Sequence, residues 1–94
     1  MEVEWDPEKD QANQRKHGVA FLEARTVFGD PFELTIFDPD HSEGEYRFLS
    51  IGQASTGRLL VVAYSESEEG RIRIISARTA KAAEVKRYES ETGL

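Results

Sequence analysis

The spacing of hydrophobic residues changes period along the chain, and each change marks an element. Val3 and Trp5 alternate with Glu2 and Glu4, which predicts a short opening strand. Asp6-Pro7-Glu8 then has the composition of a helix start, with Asp6 as N-cap, Pro7 at the first helical position and Glu8 at the positive end of the dipole. This helix runs through Lys9, Asn13 and Lys16 and ends at Gly18, with Lys16 and His17 in the last turn. Ala12 is almost alone as an apolar residue inside it. A helix so polar must lie on a surface, cover a polar site or dock through its ends. Phe21, Leu22, Ala24, Arg25 and Phe28 predict a second short helix, closed by Gly29-Asp30-Pro31.

From there the period falls to two. Residues 32–38, 46–52, 58–65 and 71–78 read as strands, separated by turn-rich stretches at 38–44, 55–57 and 66–70. Leu59-Leu60-Val61-Val62 is apolar on both faces and belongs at the centre of a sheet, hairpinned to the 71–78 strand. Thr79 is the expected cap of a last helix carrying Ala80, Ala83, Val85 and Tyr88 and fraying at Gly93. The order β-α-α-β-β-β-β-α makes one α+β domain over residues 1–94, a mostly antiparallel sheet flanked by two N-terminal helices and a C-terminal helix.

Composition narrows the chemistry. A net charge of −6 argues against a general nucleic-acid coat. The charge is uneven, however: Arg71, Arg73, Arg78, Lys81, Lys86 and Arg87 face the single acid Glu84 between residues 71 and 88. A basic strand and helix on an acidic background suit an anionic ligand or an acidic partner surface. No apolar run reaches the roughly 18 residues of a membrane span, and the acidic N-terminus has no signal-peptide pattern, so a cytoplasmic protein with no membrane partner is expected. There are two histidines and no cysteine, in a chain with no phosphate-loop or dinucleotide fingerprint, so neither metal nor cofactor is expected. His41 among Asp38, Asp40 and Glu43 reads as an exposed acidic loop more readily than as a cation site.

The 71–78 strand carries the most unusual pattern. Ile72 and Ile74 point to one face, while Arg71, Arg73 and Ile75 point to the other. Parity separates Arg73 from Arg78 unless a bulge intervenes. With Lys9, Lys16, His17, Glu45 and Arg47, these groups can supply the base, the cations and the acid of a metal-free phosphodiester cleavage, and Trp5 can stack a base. From residue types alone the structural alternative is preferred: Trp5 in the core, Arg47 paired with Glu45 across the sheet rim, His17 closing a helix.

The pattern Trp5-Asp6, Lys9, Asn13, Lys16-His17-Gly18-Val19, Phe21, then Val27-Phe28, Asp30, Glu45, Arg47, Gly52 and Ile72-Arg73-Ile74-Ile75-Ser76-Ala77-Arg78 resembles the BrnT family over nearly the whole chain. These are toxins of bacterial type II toxin–antitoxin pairs, similar in fold to RelE-like ribonucleases. The resemblance implies an endoribonuclease that cleaves RNA by 2′-hydroxyl attack without a metal and inhibits translation. It also implies a BrnA-type antitoxin with a ribbon-helix-helix part, in an assembly of two toxins and two antitoxins, with operator DNA bound only through the antitoxin. Carried onto this sequence, it makes Lys9, His17, Glu45, Arg73 and Arg78 the catalytic candidates, and Trp5, Lys16, Arg47 and Lys81 the RNA-binding ones. Arg73 and Arg78 would hold the scissile phosphate, Lys9 or Glu45 would be the base, and His17 or another lysine the acid. The rival from another class is a binding module that engages an antitoxin or the ribosome without cleaving RNA.

Overall fold

The computed structural model describes residues 2–38 and 45–93, so His41 and most of its acidic loop lie outside the described residues. The strands β1 (Val3–Glu4), β2 (Leu34–Asp38), β3 (Tyr46–Gln53), β4 (Leu59–Glu66) and β5 (Ile72–Thr79) form one sheet. The helices are α1 (Pro7–His17), α2 (Phe21–Arg25) and α3 (Ala82–Thr92), with a 3-10 turn at Thr26–Gly29. The sheet order is β1-β5-β4-β3-β2. The apolar β4 is the middle strand, as its burial on both faces requires. All pairs are antiparallel except β1 with β5.

Local signals set the helix ends. The Asp6 carboxylate accepts the Glu8 N–H at 2.9 Å, Pro7 takes the first turn, and Gly18 closes α1 in the left-handed conformation at φ 68°. One face of the sheet packs under α2 and the 3-10 turn, with Phe21, Val27, Leu60, Val62 and Ile74 at its centre. The other packs under α3 through Tyr88 on Ile51 and Val61. On the first of these faces Gly52 is needed for room, because a Cβ at this position would sit 2.7 Å from Val27 Cγ1. Asp30 anchors α3 to the rest: its Oδ2 accepts the Tyr88 hydroxyl at 2.7 Å and the Gln53 N–H at 2.8 Å.

Two expectations are corrected. Thr79 does not cap the last helix. It stays in β5 opposite Leu60, and the helix begins after Lys81, whose N–H donates to the Glu84 carboxylate at 2.8 Å. Sheet pairing holds the strand past Arg78, and an acid in the first turn replaces the hydroxyl cap. The β5 strand is also not strictly alternating. Tyr64 faces Ile74 but Ala63 faces Ser76, so Ile75 is an extra residue in a bulge.

Candidate nucleic-acid interface

The bulge decides where the arginines point. Arg73 pairs with Ser65 and Arg78 with Val61. Ser65 and Val61 lie four residues apart on β4 and so share a face. Arg73 and Arg78 therefore share it too, against strict alternation. Arg47 also pairs with Ser65, which completes a cross-strand row on that face: Asp38, Arg47, Ser65, Arg73 and Glu4. The row lies beyond the apolar patch covered by α3. One step inward, small side chains at Ala63 and Ser76 leave a depression bounded by Asp38, Arg47 and Leu49.

Ile75 and Ser76 also line a second depression, on the α1 side, with Lys9, Asn13, Lys16 and His17. Lys9 and Lys16 are seven residues apart, two turns on one helical face. The bulge is thus a saddle between a basic helix wall and an arginine-bearing sheet face.

Asn13 holds that wall in place. Its Nδ2 donates to the carbonyls of Val19 and Ala77, both at 2.8 Å, and the Ala77 N–H donates to its Oδ1 at 3.1 Å. The side-chain amide acts as a one-residue strand partner for the β5 edge, just after the bulge. This is how a helix with no apolar stripe docks. Asp10 adds a second tie by accepting the Phe21 N–H at 2.8 Å.

The three arginines differ in how firmly they are held. Arg73 Nη1 is 3.6 Å from Glu4, and both side chains are 48% exposed. Such a pair contributes about 0–1 kcal/mol and is easily exchanged for another anion. Arg78 is forked onto Glu84, with Nη1 and Nη2 donating at 2.7 and 2.8 Å. That fork, followed by the Lys81 N–H, holds the Glu84 carboxyl at about 2, well below its ordinary 4.5. Arg78 is therefore committed to the start of α3. Arg47 stands opposite Asp38.

The remaining sequence candidates are not all brought together. Trp5 is half-buried and meets Phe21 edge-on at 6.3 Å, as a wall of the core. Glu45 is exposed just before β3, two residues from Arg47, and does not line the α1 depression. Lys81 is exposed at the start of α3. Sequence reasoning missed Asn13 as the clamp and Ile75-Ser76 as the saddle. The missing apolar stripe in α1 was the one available signal, since it requires polar docking. Among the described residues no cluster of acids and histidines is placed to hold a metal, and no helix is long and apolar enough to cross a membrane.

The α+β sandwich with its α1-flanked β5 edge is a known architecture. A crystal structure of the Brucella abortus ribonuclease toxin BrnT superposes with a TM-score of 0.62, covering 86% of this chain and 97% of that one at 23% identity. No curated protein sequence matches. The family described as "Ribonuclease toxin, BrnT, of type II toxin-antitoxin system" matches residues 5–84, and the chain belongs to it. Membership in a type II family implies an antitoxin partner.

Proposed function

We propose that the chain is an endoribonuclease toxin whose RNA strand crosses the sheet edge at Ile75-Ser76. The observation that carries this reading is the saddle itself. The bulge residues Ile75 and Ser76 line both depressions, one beside Arg47 on the face that carries Arg73, the other beside Lys9, Lys16 and His17. The opposed cationic walls fit a polyanion passing between them.

In this reading Arg73 releases Glu4 and takes the scissile phosphate, and Arg47 takes a neighbouring one. Arg78 serves the site by fixing α3. Trp5 supports the site through Phe21, and Lys81 extends the basic surface. The substrate 2′-hydroxyl loses its proton to a base and its oxygen attacks phosphorus. A P–O bond forms, the bond to the 5′ oxygen breaks, and an acid gives that oxygen a proton. The products are a 2′,3′-cyclic phosphate and a 5′-hydroxyl. Lys9 and His17, on the helix wall, are the base and acid, and the cations neutralise the phosphorane in place of a metal. Glu45, outside that wall, is the less favoured base. Cleavage of cellular RNA stops translation in the cytoplasm. A BrnA-type antitoxin with a ribbon-helix-helix part neutralises the toxin in an assembly of two copies of each and carries it to operator DNA.

The test is the pH–rate profile of purified protein on a defined RNA, with chelator present, for wild type, Lys9→Met and His17→Gln. Each variant should remove one limb of the profile and slow cleavage by about 100-fold or more. A profile unchanged in both variants would remove the helix wall from the chemistry.

A further inference from the structure

The sheet face opposite the arginine row carries a feature that this function does not use. Phe37 pairs with Phe48, and Phe48 with Tyr64, so all three share that face. Phe28 meets Tyr64 edge-on at 4.9 Å, Phe48 stacks on Tyr64 at 5.5 Å, and Phe37 lies 5.5 Å from Phe48 and 6.2 Å from Tyr46. This aromatic ladder starts in the core and ends in solvent, where Phe37 is 48% and Tyr46 53% exposed.

Its border is acidic. Glu66 stands directly opposite Tyr46 and bears on the Tyr64 hydroxyl, which burial pushes up from its ordinary value. Glu33, whose own carboxyl burial pushes up, lies at the other end of β2, so Glu66 is the acid at the patch. Strands β2 and β4 contain no lysine or arginine, and the single arginine of β3, Arg47, belongs to the opposite face. An RNA strand would meet repulsion there, whereas a cationic chain would meet both a carboxylate and ring faces.

The patch also borders an open edge. Among the described residues β2 is the last strand of the sheet; Leu34-Thr35-Ile36-Phe37 holds no lysine or proline, and Asp38 at the strand's end is its single charge. A largely apolar edge strand beside exposed aromatics marks a surface that a partner covers.

We propose that a lysine- or arginine-bearing extended segment of the antitoxin adds to the sheet along β2, laying its cationic side chains over Phe37 and Tyr46 toward Glu66. The inference rests on the toxin–antitoxin membership and not on RNA cleavage. It places the antitoxin's anchor on the face opposite Arg47 and Arg73, so the two activities are separable by mutation.

The experiment measures the affinity of full-length cognate antitoxin for four toxins: wild type, the Phe37→Ser/Tyr46→Ser double variant, Glu66→Lys and Arg73→Ala. Hydrogen exchange of residues 34–38 is followed with and without antitoxin. Loss of the aromatic cover should weaken binding by about ten-fold or more, and Glu66→Lys by about three- to ten-fold with a smaller salt dependence. Both variants should keep wild-type RNA cleavage, Arg73→Ala should bind antitoxin normally, and residues 34–38 should become protected in the complex. Wild-type affinity in both patch variants, or exchange unchanged by antitoxin, would overturn the proposal. So would patch variants that keep antitoxin binding and lose RNA binding, which would make the ladder a base-stacking platform. If wild-type toxin cleaves no RNA and antitoxin binding still depends on the patch, this inference stands and the ribonuclease reading falls.

Discussion

Replacing Asn13 by alanine removes the clamp between α1 and the β5 edge, and its cost can be worked from the geometry. The change strands the Ala77 N–H and the carbonyls of Val19 and Ala77, which Asn13 satisfies at 3.1, 2.8 and 2.8 Å. Ala77 is 1% and Val19 0% exposed, so bulk water does not reach these groups without a structural change. A buried unsatisfied group costs about 1–3 kcal/mol, with carbonyls at the lower end. A water admitted into the vacated space would return part of that. The expected loss is about 3 kcal/mol, or about 12–24 °C in Tm for a domain of this size. Asn13→Asp is the sharper variant. It keeps the acceptor for Ala77 N–H and nearly the same shape, but turns an oxygen toward two carbonyl oxygens. It should be more destabilising than alanine at pH 7, and partly rescued as acid protonates the carboxyl. Urea denaturation of the three proteins at pH 7 and pH 4 provides the assay. A loss below about 1 kcal/mol for alanine, or an aspartate variant as stable as wild type, would refute the clamp.

Other consequences are simpler. The Glu84 carboxyl is depressed to about 2 from 4.5, so its contribution to stability is full above about 4.5 and fades as pH falls toward 2. The full shift would correspond to about 3 kcal/mol, and solvent screening of a partly open pair reduces this to about 1–2 kcal/mol. Glu84→Gln should lose that amount at pH 7 and almost nothing at pH 2, by thermal or urea unfolding; an equal loss at both pH values would contradict the fork. Gly52→Ala should cost about 1–3 kcal/mol through overpacking, because the new methyl meets the fully buried Val27 at 2.7 Å; a variant with wild-type Tm would show that the 3-10 turn yields freely. Arg78→Ala should lower stability and cleavage together, since Arg78 holds α3 through Glu84, whereas Arg73→Ala should lower cleavage with Tm within about 2 °C of wild type.

The sequence made legible whatever is decided locally. Asp6-Pro7 and Gly18 bracket α1 as their backbone chemistry requires, and the unbroken apolar run at Leu59–Val62 belongs to the middle strand, as its burial on both faces requires. The α+β order and the BrnT resemblance were readable because most of the matching positions are these same caps, corners and core residues. What was not legible depends on pairing between distant segments. The adjacent Ile74-Ile75 pair interrupts the alternation of isoleucine and arginine, but whether it makes a bulge is defined only by how β4 and β5 line up. Without the bulge Arg73 and Arg78 fall on opposite faces, so the arginine geometry could not be read from the sequence. The Thr79 cap failed for the same reason: Leu60 on another strand keeps Thr79 in the sheet. Asn13 was visible as a residue of the family pattern, but its role depends on Ala77, 64 residues further on.

The most direct test of the account is cleavage of a defined RNA by purified wild type and by Arg73→Ala, with matched circular dichroism and Tm as the check on folding. A charge-assisted contact to the scissile phosphate is worth roughly 1.5–3 kcal/mol, so the account predicts 2′,3′-cyclic phosphate ends from wild type and a rate about 10- to 100-fold lower from a fully folded Arg73→Ala. Equal rates from the two proteins, or intact RNA with wild type, would contradict an RNA path across the Ile75-Ser76 saddle.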